Sequence, residues 1–275
     1  MKTATTWLWS VGMMSMLGAS CVSASIIASA GFNDASGMNS DATPNSPYTL
    51  GQTVAGRGLG EPGWAGGWVV QNGGAQGGDP YAIVQNSAAI EGDGGLALIP
   101  GSFGSTRPIR TLAQPLSSEF ILSQSLNFGS VGDVISGPFQ HFTSQGDHTG
   151  PQWRLTGAVG SRHFEVFDGH SDQSGNWVNT GIAQKPGQWQ QVVLDINVPL
   201  QTFKFSVDGV MYNAPHPTGF QNSAAVIDNI DYLTSGAGSI DAIVVSTVPE
   251  PTSIVLLGAV AILGLRRKRQ VVQID

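Results

Sequence analysis

From Thr202 to Val207 the chain alternates strictly, with Phe203, Phe205 and Val207 apolar and Thr202, Lys204 and Ser206 polar. Successive side chains of a strand point to opposite faces, so this period of two predicts a strand with one buried and one wetted face. Asp208-Gly209 and then Val210-Met211-Tyr212 follow, which predicts a two-residue hairpin turn into a returning strand. Similar short runs, apolar or alternating and bounded by turn residues, occur at Tyr81–Gln85, Gly95–Ile99, Ser118–Leu122, Arg162–Phe167, Gly187–Ile196 and Ser239–Ser246. Between residues 31 and 247 no amphipathic helix longer than two turns stands out. Many short antiparallel strands in one stretch of about 220 residues predict an all-β domain, a two-sheet antiparallel β-sandwich of jelly-roll type.

Two stretches break this pattern, one at each end. Trp7 to Leu17 is largely apolar, follows the lone cation Lys2 and precedes small residues, the layout of an export signal that begins as a helix. Val22-Ser23-Ala24 and Ala28-Ser29-Ala30 both fit a small-x-small cleavage site, so the signal is residues 1–24 with a cut as late as residue 30 as the alternative. Gly18-Ala19-Ser20-Cys21 invites a lipoprotein reading, but Leu17 stands four positions before Cys21 rather than three. At the other end, Thr252 to Leu265 carries no charge, and Arg266, Arg267, Lys268 and Arg269 follow it directly. Fourteen residues make a helix of about 21 Å against a hydrocarbon core of about 30 Å, so the segment is short for a span and, alone, reads more readily as a core helix. Four adjacent cations argue for the membrane, because they snorkel into headgroups and stop transfer on the cytoplasmic side. The expectation is a short transmembrane helix with its amino end outside.

Composition narrows the function classes. Between the two end segments lie seven Lys and Arg against seventeen Asp and Glu, a balance near −10. Such a surface excludes nucleic acid as a natural partner and keeps an exported domain soluble. If Cys21 leaves with the signal, the mature chain has no cysteine, hence no disulfide and no thiolate metal site. The 37 glycines and 15 prolines fit a fold with many turns.

Pro249-Glu250-Pro251, the apolar helix and the basic cluster occur in the order and spacing of the PEP-CTERM sorting signal, which residues 248–269 closely resemble; residues 270–275 form a short tail beyond it. The resemblance implies an exosortase as processing partner, a transient tether at the inner membrane and release or transfer to the cell surface or matrix, where exopolysaccharide is the candidate neighbour. The body of the chain, residues 31–247, loosely resembles the concanavalin A-like and laminin-G-like jelly rolls. Trp189-x-x-Val192-Val193-Leu194-Asp195, the Phe203-to-Gly209 strand and turn, and the closing run Ser239–Ser246 carry that resemblance. Sandwiches of that kind hold a structural calcium where first and last strands meet, which makes Asp34 and Asp241 candidate ligands, with solvated aspartates as the alternative.

Catalytic chemistry is hard to find. Of the four glutamates of the body, Glu61, Glu91, Glu119 and Glu165, none forms a Glu-x-Asp-x-x-Glu strand. Glu165 and Asp168 lie three apart, so a regular strand points them to opposite faces. His141, His148, His163 and His170 form two evenly spaced pairs, yet lack the Arg and Tyr motifs of a polysaccharide lyase and read as ordinary surface histidines. Among the tryptophans, Trp189 reads as core, while Trp64 and Trp68 seal one end of the sandwich. Trp177, between Asn176 and Asn179, is the candidate exposed platform for a sugar ring. The sequence therefore describes an exported surface or matrix protein that is not an enzyme, with glycan binding as its candidate activity. The alternative is a glycosidase or polysaccharide lyase with unfamiliar site chemistry.

Overall fold

Alternation decides which way a strand faces, and a bulge can correct it where the pattern slips. In the computed structural model, residues 24–32, 48, 53–73, 81–85, 88, 90, 95–99, 105–128, 136–141, 150–157, 161–169, 175–233 and 237–248 are described. Ser25–Val248 forms one unit. Residues 1–23 of the export signal, Cys21 among them, and residues 249–275, with Pro249-Glu250-Pro251 and Arg266, Arg267, Lys268 and Arg269, lie outside the described residues, as do Asp34, His148 and His170.

Among the described residues the chain is all β. Its strands are β1 (Ile26–Ala30), β2 (Val69–Gly73), β3 (Tyr81–Gln85), β4 (Gly95–Ile99), β5 (Ser105–Leu116), β6 (Glu119–Asn127), β7 (Ser136–His141) and β8 (Gln152–Thr156). There follow β9 (His163–Asp168), β10 (Asn176–Ala183), β11 (Gln190–Asn197), β12 (Thr202–Val207), β13 (Val210–Met211), β14 (Thr218–Gly219), β15 (Ile227–Leu233) and β16 (Gly238–Thr247). All their pairings are antiparallel. The larger sheet has nine strands in the order β13-β12-β11-β6-β16-β4-β3, with β1 beside β16 and β14 beside β12; the smaller has seven, β10-β9-β8-β7-β15-β5-β2.

The two sheets meet across one apolar core. Val192, Leu194 and Ile196 of β11 face Phe203, Phe205 and Val207 of β12 in the register Val192↔Val207, Leu194↔Phe205 and Ile196↔Phe203, and all six are buried. From the smaller sheet, Trp153 and Phe164 reach across to Phe205, with ring centroids 6.2 and 6.0 Å away. Tyr232 of β15 donates its hydroxyl to Gln124 Oε1 of β6 at 2.5 Å, a polar bond between the sheets. The predicted Asp208-Gly209 turn is present, with φ of 51° and 75° at its two residues, as a hairpin of this length requires.

On β16, Ile240 faces inward, and so do Ile243 and Val245, which a regular period of two forbids. A bulge between Asp241 and Val244 resets the parity, with Ala242 at φ 51°. The carboxylate of Asp241 holds it, accepting the N–H of Ala242 through Oδ1 at 2.7 Å and of Ile90 through Oδ2 at 2.9 Å.

Candidate functional site

The outer face of the smaller sheet is where chemistry-bearing side chains gather. Arg154↔Glu165 and Glu165↔Asn179 are cross-strand partners, as are Phe167↔Trp177, so β8, β9 and β10 put these residues on one face. Trp153, Phe164 and Val166, one position along, point into the core and fix that orientation. Arg154 donates Nε to Glu165 Oε2 at 2.6 Å and holds Nη2 at 2.5 Å from the same oxygen. Its guanidinium lies over the Trp177 indole, 4.3 Å from the centroid. Phe167 meets that indole edge-on at 5.4 Å. Gly175 makes room for this pair, since a Cβ there would sit 2.2 Å from the Phe167 ring. The other carboxylate oxygen, Glu165 Oε1, lies 3.2 Å from His163 Nε2.

Trp177 is therefore half-buried rather than exposed, with one face already covered by a cation. What the cluster offers a ligand is an indole edge, a fixed fork of N–H donors and a carboxylate, all on rigid strands. Further along the same face, Arg107 of β5 binds Asp231 of β15 through Nε at 2.7 Å and also through Nη2. Asp231 is almost wholly buried although it faces outward. His141 pairs with Asp231 on one side and Gln152 on the other by backbone register.

Glu165 and Asp168 are not brought together as a catalytic pair. Asp168 instead accepts the N–H of Gly219 at 3.0 Å and lies 3.5 Å from His216 Nε2, tying the segment around β14 to the end of β9. Of the candidate calcium pair, Asp241 alone falls within the described residues. It is fully buried and both its carboxylate oxygens accept backbone N–H groups. Among the described residues no group of three His, Cys, Asp or Glu side chains could hold a metal, and no helix is long and apolar enough to cross a membrane. Trp189, expected in the core, is only half-buried, just before β11.

Sequence reasoning placed Trp64 and Trp68 at one end of the sandwich and missed what they enclose. Arg110, fully buried on the inner face of β5, lies 5.0 Å from the Trp64 ring centroid and 5.3 Å from that of Trp68. Its Nη1 lies 2.9 Å from Glu61 Oε2 and donates to Tyr48 Oη at 3.2 Å, while Nη2 donates to the Gly58 carbonyl. Tyr48 in turn donates to Glu61 Oε2 at 2.7 Å and accepts from Trp68 Nε1 at 3.1 Å. Burial raises the Glu61 carboxyl above the usual range, although Tyr48 and Arg110 pull it back. Burial, with the Glu61 charge beside it, pushes the Tyr48 phenol far above its ordinary value. Alternation in Gln152-Trp153-Arg154-Leu155 was a readable signal for β8; nothing in Ile109-Arg110-Thr111 announces a buried cation.

No protein-family model matches the chain, and no curated protein does. Among solved structures it is similar to a sialidase at 14% identity and TM-score 0.48, covering 81% of this chain and 19% of that one. It is similar to a carbohydrate esterase from a Shiga toxin-encoding bacteriophage at 12% identity and TM-score 0.49, covering 82% of this chain and 99% of that one. A third is domain 4 of an extracellular arabinanase from Geobacillus stearothermophilus in complex with arabinotriose, at 12% identity and TM-score 0.46, covering 82% and 93%.

Proposed function

We propose that this chain is an exported surface or matrix protein, sorted by an exosortase through its Pro249-Glu250-Pro251 signal, whose concanavalin A-like jelly roll binds glycans without turning them over. The observation that carries the binding part is the Trp177–Arg154–Glu165 cluster on the solvent face of β8–β10. It sets an apolar ring edge beside a guanidinium and a carboxylate, the combination that grips the C–H face and the hydroxyls of a sugar. β10 ends the smaller sheet, so the cluster stands at an edge that a long polymer can reach. The non-catalytic part is supported by the carboxylates. Glu165 has one oxygen on Arg154 and the other near His163, and Asp168 serves Gly219 and His216. Neither is poised over a shared substrate position as a hydrolase needs. Exosortase sorting and the inner-membrane tether rest on the sequence motif.

The test is a glycan array and a reducing-sugar release assay on the purified protein. Saturable binding is expected, weakened at least about tenfold by Trp177→Ala and by Arg154→Lys, because lysine cannot reproduce the planar fork on Glu165. Sugar release abolished by Glu165→Gln would establish the enzyme instead. The sorting half is checked on protein recovered outside the cells, which is expected to lack Arg266 to Arg269.

A further inference from the structure

We propose that the export signal is cut between Ala24 and Ser25, and that the strand this cut preserves, β1, is a clasp on the end of β16. The inference rests on the reading of the first residues as an export signal and adds to it the bond broken and the use made of the new terminus.

Two small-x-small stretches compete for the cut, Val22-Ser23-Ala24 and Ala28-Ser29-Ala30. The fold accounts for the second without any peptidase. Ala28 and Ala30 are fully buried in β1, which pairs with β16 in the register Ala28↔Val245, Ser29↔Val244 and Ala30↔Ile243. Their smallness has a packing cause. Gly63 lies so close that a Cβ on it would fall 1.9 Å from the Ile27 carbonyl oxygen and 2.6 Å from Ala28 Cβ. A larger side chain at Ala28 would push that backbone away. The strand is also tied down beyond its ladder, because the Ser29 carbonyl accepts the Trp64 indole N–H at 2.8 Å and the Ser29 N–H donates to Pro62 O at 3.4 Å.

Ala24 and Ser25, by contrast, are exposed, and strand β1 begins only at Ile26. Hydrolysis there needs only water, with hydroxyl going to the Ala24 carbonyl carbon and hydrogen to the Ser25 nitrogen. The product keeps what Ser25 does in the fold. Its nitrogen donates to Thr247 Oγ1 at 2.9 Å, which an ammonium does as well as an amide, and its carbonyl accepts the Thr247 N–H at 2.9 Å. Thr247 is the last residue of β16 and stands two positions before Pro249. The chain thus enters and leaves the sandwich at one point, and the clasp closes over the strand that leads into the sorting motif. A cut after Ala30 would delete β1, strip Ile243 to Ser246 of their partners on that side and leave the Trp64 N–H without its acceptor.

The experiment expresses the full chain in an exporting host and reads the amino terminus of the processed protein by mass spectrometry. A first residue of Ser25 is expected, and Ala24→Asp is expected to abolish processing and leave the precursor uncut. A processed protein that begins at Gly31, or at an acylated Cys21, overturns the proposal while the export reading stands. An exported protein that retains Met1 overturns the export reading along with it. Should Ala24→Asp be processed after Ala30 into a protein that melts at the wild-type temperature, β1 is dispensable and the clasp is refuted.

Discussion

The two sheets bury themselves in different ways. The larger one turns Phe120, Leu122, Leu126, Val192, Leu194, Ile196, Phe203, Phe205 and Val207 inward, with the uncharged Gln124 and Gln190 buried beside them. Apart from Asp241, buried at the bulge of β16 with its oxygens on backbone N–H groups, its ion pairs lie outside, where Lys204 and Asp195 pair at 2.6 Å and Lys185 and Asp208 at 2.7 Å with both lysines largely exposed. In the smaller sheet Arg110, Asp231, Gln152 and Thr106 are buried along with the hydrocarbons. Burying a polar or charged group is unfavourable unless its partners are in place, so such a sheet cannot stand on its own strands alone. Arg110 draws its partners from Tyr48, Gly58 and Glu61, all far from β5 in the chain. The larger sheet is held chiefly by apolar packing, and the smaller also by a network that recruits the segment before β2.

The strongest way to break that contrast is to remove Arg110. Arg110→Ala leaves Glu61 and Tyr48 without their cation and opens a void between two indoles, so a loss of about 3–5 kcal/mol in denaturant unfolding is expected. Leu194→Ala, its counterpart in the larger sheet, is expected to cost about 2–5 kcal/mol through a cavity. The two losses separate on rescue. Arg110→Met combined with Glu61→Gln should recover most of the first, because an apolar chain beside a neutral amide removes the stranded charge. If the double variant is no more stable than Arg110→Ala, the cluster is not held by its charge pairing.

Next in size is the bond across the core. Burial, with Asp231 adjacent, raises the Tyr232 hydroxyl well above its ordinary value, so it stays protonated and donates to Gln124 at every working pH. Tyr232→Phe keeps the ring against Trp68, 6.4 Å away, and is expected to cost about 1 kcal/mol, with no change in the slope of unfolding against denaturant. A neutral result would mean that the sheets are coupled by apolar contact alone.

The same contrast explains what could be read from the chain beforehand. β3, β4, β6, β11, β12, β13 and β16 of the larger sheet correspond to short runs, apolar or alternating, picked out in the sequence, and β3, β4 and β12 even in their bounds. Of the smaller sheet only β9 was recognised. Pro108 and Pro115 in β5, the acids of β15 (Ile227-Asp228-Asn229-Ile230-Asp231) and the polar β10 interrupt the apolar alternation, and hydropathy is blind to a polar group whose partner sits far away in sequence. For the candidate site, Trp177 could be picked out by its polar flanks. Its neighbours Arg154, Glu165 and Phe167 could not be joined to it without the register of β8, β9 and β10. Asp241 reads as a candidate ligand from sequence, which gives no sign of the bulge that its carboxylate holds.

Two aspartates sharpen the comparison at the smallest scale, and they have opposite signs. Asp208 closes the β12–β13 hairpin of the larger sheet. Burial alone would raise its carboxyl, but Lys185, the Gln191 N–H and Gln190 together hold it below the usual range. A lowered folded value means stability present above the unfolded value of about 3.9 and lost as pH falls through the folded one. Asp228 lies on β15 of the smaller sheet, and burial raises its carboxyl despite the hydrogen bond from Asn229. Its contribution is present below about pH 3.9 and lost as pH rises through the folded value, so at neutral pH its charge is a liability. Asp208→Asn should therefore lower the melting temperature at pH 7 and flatten its fall below pH 4, by no more than an exposed ion pair is worth, about 0–1 kcal/mol. Asp228→Asn should raise the melting temperature at pH 7 and leave it unchanged near pH 3. Thermal melts of both variants at these two pH values read out the signs. Two variants that shift in the same direction at pH 7 would show that the smaller sheet tolerates its half-buried acid as easily as the larger sheet uses its exposed one.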